Sequence, residues 1–330
     1  MEITIRGMIL KDSNSTVFVI FAHTSFESSF KVGGHHLYSL ACRQFVSYYL
    51  CLKSGSNSVF GLFAFSVFLL DYFKILLLIL RRRNVKGFFD TPVYILFLFP
   101  FKRYFIYRVT DNYGIMSILN RLCEKLIKIF DFRVVTTNSE LKNIYSQRGF
   151  NVLGYIVNGV SNEFINYASQ LPFDRQAASE VTSLFYVGSI DARFDYDYIR
   201  SLLRMPEILI HIVSPDFIGF THQRLIAHGA LDWRAWSPIA LICDAALMPF
   251  NNNPLNLTRS PMKKYEYYAL GLPVLTSSQI FASDNCFFFG RLDYKKVVDT
   301  VSSVDKSKLI SIAKRNTWED KFSEYMDFFH

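Results

Sequence analysis

Asn251–Thr276 reads NNNPLNLTRSPMKKYEYYALGLPVLT. A loop rich in asparagine gives way at Pro261 to a helix-forming run, Gly271 stops it, and Pro273–Thr276 reads as a short strand. Pro261 suits a first helical turn, and Ser260 before it stands in a capping position. The spacing therefore predicts a helix starting near Met262, its free N–H groups and positive end directed at an anion. Lys263 and Lys264 add cations at that end, which helix electrostatics alone disfavours and a bound phosphate would resolve. Glu266, about one turn on, is placed to accept from ribose hydroxyls. Without a ligand the same residues make a capped, partly exposed helix with solvated lysines.

Outward from this stretch the pattern is regular. Ala240–Leu247 leads into Met248-Pro249-Phe250, Leu184–Val187 is a strand ending in Gly188-Ser189, a helix runs from about Tyr196 to Leu203, and Ile208–Val213 is a strand. Asn166–Ser183 is polar, holds Pro172 and lacks a period, which marks a linker. In the first half, Thr16–Ala22, Thr91–Phe99, Tyr104–Val109, Arg133–Thr137 and Val152–Val157 read as buried strands. Gly33-Gly34 sit in a polar loop and His36–Leu50 has helical spacing. Short apolar strands separated by helices predict parallel sheets covered on both faces. The expected architecture is α/β, with two doubly wound domains: 1–165, a linker at 166–183, 184–315, and a 316–330 segment with Trp318 and Phe328-Phe329 packing back toward the first domain. No GxGxxG follows a strand, and no Walker loop or HExxH is present, so a nicotinamide-type dinucleotide site has little support.

Length and composition agree: 330 residues, 51% hydrophobic and 19% charged, exclude intrinsic disorder. Five cysteines (42, 51, 123, 243 and 286) form no CxxC pair, which argues for buried reduced thiols in a cytosolic protein rather than a disulfide framework or zinc site. Met1–Arg6 lacks the layout of a signal peptide, so none is expected. The net charge of +8 is uneven. Residues 1–165 carry 19 Lys/Arg and 10 Asp/Glu, a net of +9, and residues 166–330 carry 17 and 18, a net of −1. The basic residues stand beside apolar runs, as in Phe73–Leu80 followed by Arg81-Arg82-Arg83, which suits an anionic membrane surface better than nucleic acid. Val59–Leu80 is long enough to span a bilayer, but Asp71 and Lys74 interrupt it, so a segment lying on the membrane or packed in the core is the cheaper reading. Arg121–Phe130 is amphipathic, with Leu122, Leu126 and Ile129 on one face and Arg121, Lys125 and Lys128 on another.

Pro261–Val274 resembles the donor-sugar-nucleotide motif of GT-B glycosyltransferases and is similar to bacterial family 4-like enzymes and to the xanthan glucuronosyltransferase. Val134–Leu141, Ile156–Phe164 (IVNGVSNEF), Tyr186–Asp195 (YVGSIDARFD) and Asp244–Phe250 (DAALMPF) resemble further family segments in the expected order, over roughly residues 100–280. The resemblance implies a GT-B fold, two Rossmann-like domains facing a central cleft. It places Lys263 on the donor diphosphate, Met262 near the nucleotide, Glu266 at the ribose, and Gly188 and Ser189 beneath the diphosphate. Arg193 and Arg259 are further candidates for a phosphate contact. The first carboxylate of the family 4 Glu-x7-Glu motif falls at Thr258, a departure that counts against a retaining mechanism.

Tyr107–Tyr113 (YRVTDNY) matches the segment that bears the base in xanthan-type enzymes, which makes Asp111 the candidate base; an Asx-turn or helix cap is the plain alternative. Gly33, Gly34, His35 and His36 follow the first strand as acceptor-side candidates, or as a glycine turn and a surface histidine pair. Asp195-Tyr196-Asp197 looks like a metal-binding DxD motif, but it opens a helix, where acids are favoured for their own sake. No metal and no cofactor is expected, the nucleotide-sugar being a substrate.

The combined expectation is an inverting transferase acting on a nucleotide-sugar donor, UDP favoured, and a lipid-linked saccharide in bacterial surface-polysaccharide assembly. It would sit peripherally on the cytoplasmic face of the cell membrane. The rivals are a retaining family 4-like enzyme, a nucleotide-sugar epimerase and a non-catalytic membrane scaffold.

Overall fold

The structure, a computed structural model, describes residues 16–22, 33–51, 72–73, 76–77, 84–172, 182–283, 285–289 and 292–330. Val59–Leu80 lies largely outside the described residues, among which no helix is long and apolar enough to cross a membrane. The chain forms two compact units. The first comprises the residues up to Val157 with Thr258–Ser260 and Lys321–His330, and the second comprises Asn158–Leu257 with Pro261–Asp320.

The first unit holds one parallel sheet of β1 (Val17–Ala22), β2 (Val46–Cys51), β3 (Val85–Phe89), β4 (Phe105–Val109), β5 (Arg133–Thr136) and β6 (Asn151–Tyr155), in the order β2-β1-β3-β4-β5-β6. β1 and β4 are buried at every residue, as strands covered on both faces must be. The second unit repeats the plan with β7 (Thr182–Val187), β8 (Ile208–Val213), β9 (Leu225–Ala227), β10 (Ala245–Met248), β11 (Val274–Thr276) and β12 (Cys286–Phe288), ordered β12-β11-β10-β7-β8-β9. Both units are doubly wound, and strand order reverses between β1 and β3 in one and between β7 and β10 in the other.

Several elements differ from the sequence expectation. Gly33 and Gly34 open a helix, Gly33–Gln44, rather than a loop, and that helix stops short of Leu50 because VSYYLC, rich in β-formers, becomes edge strand β2. Thr91–Phe99 is not a strand. Pro92, which cannot donate to a ladder, begins a 3-10 turn that passes into the helix Ile95–Leu98. Tyr94, Ile95 and Leu98 point into the core while Leu96 and Phe99 are exposed, a helical rather than a two-residue period. The strand is Val85–Phe89, hidden in sequence behind Arg81–Arg83 and broken in pattern by Lys86 and Gly87. The units divide at Val157/Asn158. The helix Asn162–Gln170, capped by Ser161 and burying Phe164, Ile165 and Ala168, occupies the start of the stretch read as a linker.

The last residues add aromatic rings to the first unit: Phe322 and Phe329 pack against Phe18, and Tyr325 and Phe329 against Phe88. In the second unit His211 Nδ1 lies 3.0 Å from His228 Nε2, the rings stacked. Burial lowers both pKa values, and for His211 the neighbouring ring lowers it further. The folded chain therefore binds fewer protons here than the unfolded one. The stability this neutral pair contributes is complete above the ordinary histidine value of about 6.5 and is lost as pH falls below it. Thermal unfolding between pH 7 and pH 5 should show this loss, and His211→Phe should flatten it; an unchanged slope would assign the loss elsewhere.

Candidate functional site

Ligands of open parallel sheets bind beyond the carboxyl ends of the strands, where the order reverses. In the second unit β7 runs out there into Gly188 and Ser189. Gly188 has φ +157°, and a Cβ on it would stand 2.8 Å from Tyr186 Oη, so glycine is required. Tyr186 donates its hydroxyl to the Ser189 carbonyl (2.7 Å), the Gly188 N–H donates to the Val213 carbonyl (3.1 Å) and the Ile190 N–H to Asp216 (2.9 Å). The loop is thus set in advance, with Ser189 exposed.

The helix Lys263–Ala269 reaches the same strand end, because Tyr267 Oη accepts the Val187 N–H at 3.1 Å. On this helix Lys263 Nζ and Glu266 Oε2 form a 2.6 Å ion pair, with Lys263 5.1 Å from the ring centre of Trp236. Lys263 is thus held, partly buried, between a carboxylate and an aromatic face. A diphosphate there would compete with Glu266 for the ammonium and leave the carboxylate to accept from hydroxyls. Met262, half-buried, occupies the cap position with helical dihedrals and without a side-chain cap. The cap position therefore falls on Met262 and not on Ser260.

Ser260 and Arg259 group with the first unit, apart from Met262, Lys263 and Glu266 in the second. Arg193 is committed to Asp191 through three contacts of 2.5–3.1 Å. Asp195 caps the helix Tyr196–Leu203, accepting the Tyr198 N–H at 2.9 Å, while the exposed Asp197 pairs with Arg200 at 3.3 Å. These acids serve the helix terminus. Among the described residues no cluster of three or more His, Cys, Asp or Glu is arranged for a metal ion.

In the first unit the reversal point is occupied by Asp90, directly after β3, whose N–H donates to the Phe21 carbonyl on β1 (2.9 Å). A Cβ on Gly34 would stand 2.9 Å from Asp90 Oδ2, so the glycine admits the carboxylate. Arg108 on β4 pairs with Asp90 at 3.4 Å and donates from Nε to Tyr325 Oη at 2.9 Å, both charged side chains being 1% exposed. Burial works to lower the Arg108 pKa, but Tyr325 and Asp90 outweigh it and hold the guanidinium above its ordinary value. Sequence reading misses this triad. Its acid follows a strand masked by a basic run, and its arginine sits inside an apolar strand.

Asp111 stands just beyond β4, half-buried. Its carbonyl accepts the Tyr113 N–H (2.9 Å), Tyr113 Oη meets Thr110 Oγ1 (2.8 Å), and Arg148 donates to Asn112 Oδ1 (3.1 Å). Burial raises the Tyr113 phenol, and the negative charges of Asp111 and Asp90 raise it further, so it stays protonated. Of the three hydrogen bonds, two lie within the loop and the third ties it to Arg148. His35 is no surface residue: it is buried and stacks on Tyr49 with ring centres 5.4 Å apart, and Gly33 and Gly34 are buried with it. His36 is half-buried.

No protein-family model and no curated protein sequence matches the chain. Solved structures do match. A glycosyltransferase from Rickettsia africae superposes with TM-score 0.67 at 11% identity, over 96% of this chain and 98% of that one. The catalytic domain of starch synthase IV from Arabidopsis thaliana, bound to ADP and acarbose, gives 0.58 at 11% identity over 96% and 99%. The lipopolysaccharide outer core galactosyltransferase WaaB gives 0.57 at 11% identity over 94% and 99%. The chain has the two-unit α/β fold of GT-B glycosyltransferases.

Proposed function

We propose that this protein is a glycosyltransferase that moves a sugar from a nucleotide-diphosphate sugar, a UDP-sugar by preference, to a lipid-linked saccharide of bacterial surface polysaccharide at the cytoplasmic membrane face. The observation that carries the reading is the Lys263–Glu266 pair on a helix tied by Tyr267 to the Gly188–Ser189 strand end, in a GT-B fold. Lys263 would bind the diphosphate, the Gly188–Ser189 backbone would approach it closely, and Glu266 would receive the ribose. The basic first half, net +9 over residues 1–165, suits an acceptor carried on an anionic lipid.

The transfer would be inverting. The acceptor oxygen bonds to the anomeric carbon as the bond from that carbon to the phosphate oxygen breaks; the electron pair leaves with the nucleoside diphosphate and the hydroxyl proton passes to Asp111. Thr258, buried where a retaining family 4-like enzyme would place a carboxylate, favours this course. Calorimetry across UDP-, GDP- and TDP-sugars tests the donor site. One donor should bind, and Lys263→Ala should weaken it about 10- to 100-fold, the worth of a charged hydrogen bond. Absence of binding by every donor would sink the enzyme reading and leave a scaffold.

A further inference from the structure

The helix Ile118–Ile129, capped by Ser117, turns Cys123, Glu124 and Ile127 into the core of the first unit. Its other side is apolar and open: Ile118 and Ile129 are 75% and 72% exposed, with Leu119 and Leu122 about half exposed between them. Ile118, Leu122 and Ile129 fall at helical spacing on one stripe. Ile115 and Met116, both exposed, extend it at the start, and at the far end Phe130 stacks on Phe99, also exposed. So many large apolar side chains standing together are costly in water and mark an interaction surface.

The charge around the stripe selects the occupant. Arg121, Lys125 and Lys128 on the helix and Lys102 and Arg103 beside Phe99 are all exposed. The helix's one acid, Glu124, is buried and accepts from Tyr145. Protein interfaces are depleted in lysine, whereas an apolar stripe flanked by Lys and Arg is what an anionic bilayer binds.

We propose that this face, Ile115–Ile129 with Phe99, docks on an anionic lipid surface: the apolar side chains enter the headgroup–acyl boundary and the basic ones meet lipid phosphates. The stripe begins a few residues beyond Asp111 on the same unit, so a docked bilayer brings its headgroups toward that carboxylate. This last point rests on the transferase reading; the docking does not, and its test requires no sugar donor.

The experiment is co-sedimentation of the full chain with phosphatidylglycerol–phosphatidylcholine vesicles and with pure phosphatidylcholine vesicles. Wild type should bind the anionic vesicles and release partly in high salt. Ile118→Glu with Leu122→Glu should weaken binding at least about tenfold, and Lys125→Ala about fivefold. Both side-chain sets are exposed, so unfolding midpoints should stay at wild type. Leu122→Trp, which keeps the surface apolar, should add a fluorescence that brominated lipid in the same vesicles quenches, a gain of signal that does not depend on damage. The proposal is overturned if wild type ignores anionic vesicles, if the double variant binds as wild type does, or if the fluorescence added by Leu122→Trp is not quenched. A wild-type dimer that the double variant renders monomeric would give the face to a second copy of the chain and overturn it equally.

Discussion

Asp111→Asn is expected to lower sugar transfer by about two to four orders of magnitude, the usual worth of a general base, while donor binding stays within about twofold of wild type. The amide keeps the shape of the carboxylate and the Asp111 carbonyl contact to the Tyr113 N–H, so the loop should stay in place. It cannot accept the hydroxyl proton as the anomeric carbon is attacked. The unchanged donor affinity follows from the roles proposed, since Lys263 and Glu266, which would hold the donor, are left intact. Arg148→Ala probes the support rather than the base: it removes the bond to Asn112, and a loosened loop should lose turnover by a smaller factor than the missing base. Transfer by Asp111→Asn at wild-type rate, measured with the donor identified by calorimetry, would return Asp111 to the role of a turn residue and reopen the retaining mechanism.

What can be read in advance follows from where the information lies along the chain. β1 is a continuous apolar run, β4 and β8 are apolar but for Arg108 and His211, β5 centres on Val134 and Val135, and the helix Tyr196–Leu203 is written by its cap and its period, so each is visible locally. The Lys263–Glu266 pair is likewise local, three residues apart on one helical face. The Asp90–Arg108–Tyr325 triad joins three places, Arg108 standing 18 residues from Asp90 and 217 from Tyr325, and nothing in the composition of any one names the others. Thr91–Phe99 misleads because an apolar run reads alike as buried strand or buried turn, and only the phase set by Pro92 decides. His35, open in sequence to an acceptor-side or a surface reading, is buried against Tyr49, a residue of a strand that sequence periodicity merges into the preceding helix.

Arg108→Leu should cost the first unit about 3–5 kcal/mol, because it strands the Asp90 carboxylate at 1% exposure without its cation. The paired substitution Arg108→Leu with Asp90→Leu removes both charges and should recover most of that loss, since a buried ion pair and an apolar filling of similar volume are close in free energy. Tyr325→Phe, which deletes only the hydroxyl accepting from Arg108 Nε, should cost about 1–3 kcal/mol. Removing Lys321–His330 altogether should be worse than any of these, because it also uncovers Phe18 and Phe88. The three tryptophans make the location measurable: Trp233, Trp236 and Trp318 all lie in the second unit. In urea, circular dichroism of Arg108→Leu should show an early transition while tryptophan fluorescence keeps its wild-type midpoint. Coincident early transitions would mean that the two units unfold together and that the triad holds the whole chain. An unshifted dichroism curve would mean that Asp90 finds another partner or a proton, and that the pair is not what fixes the end of β3.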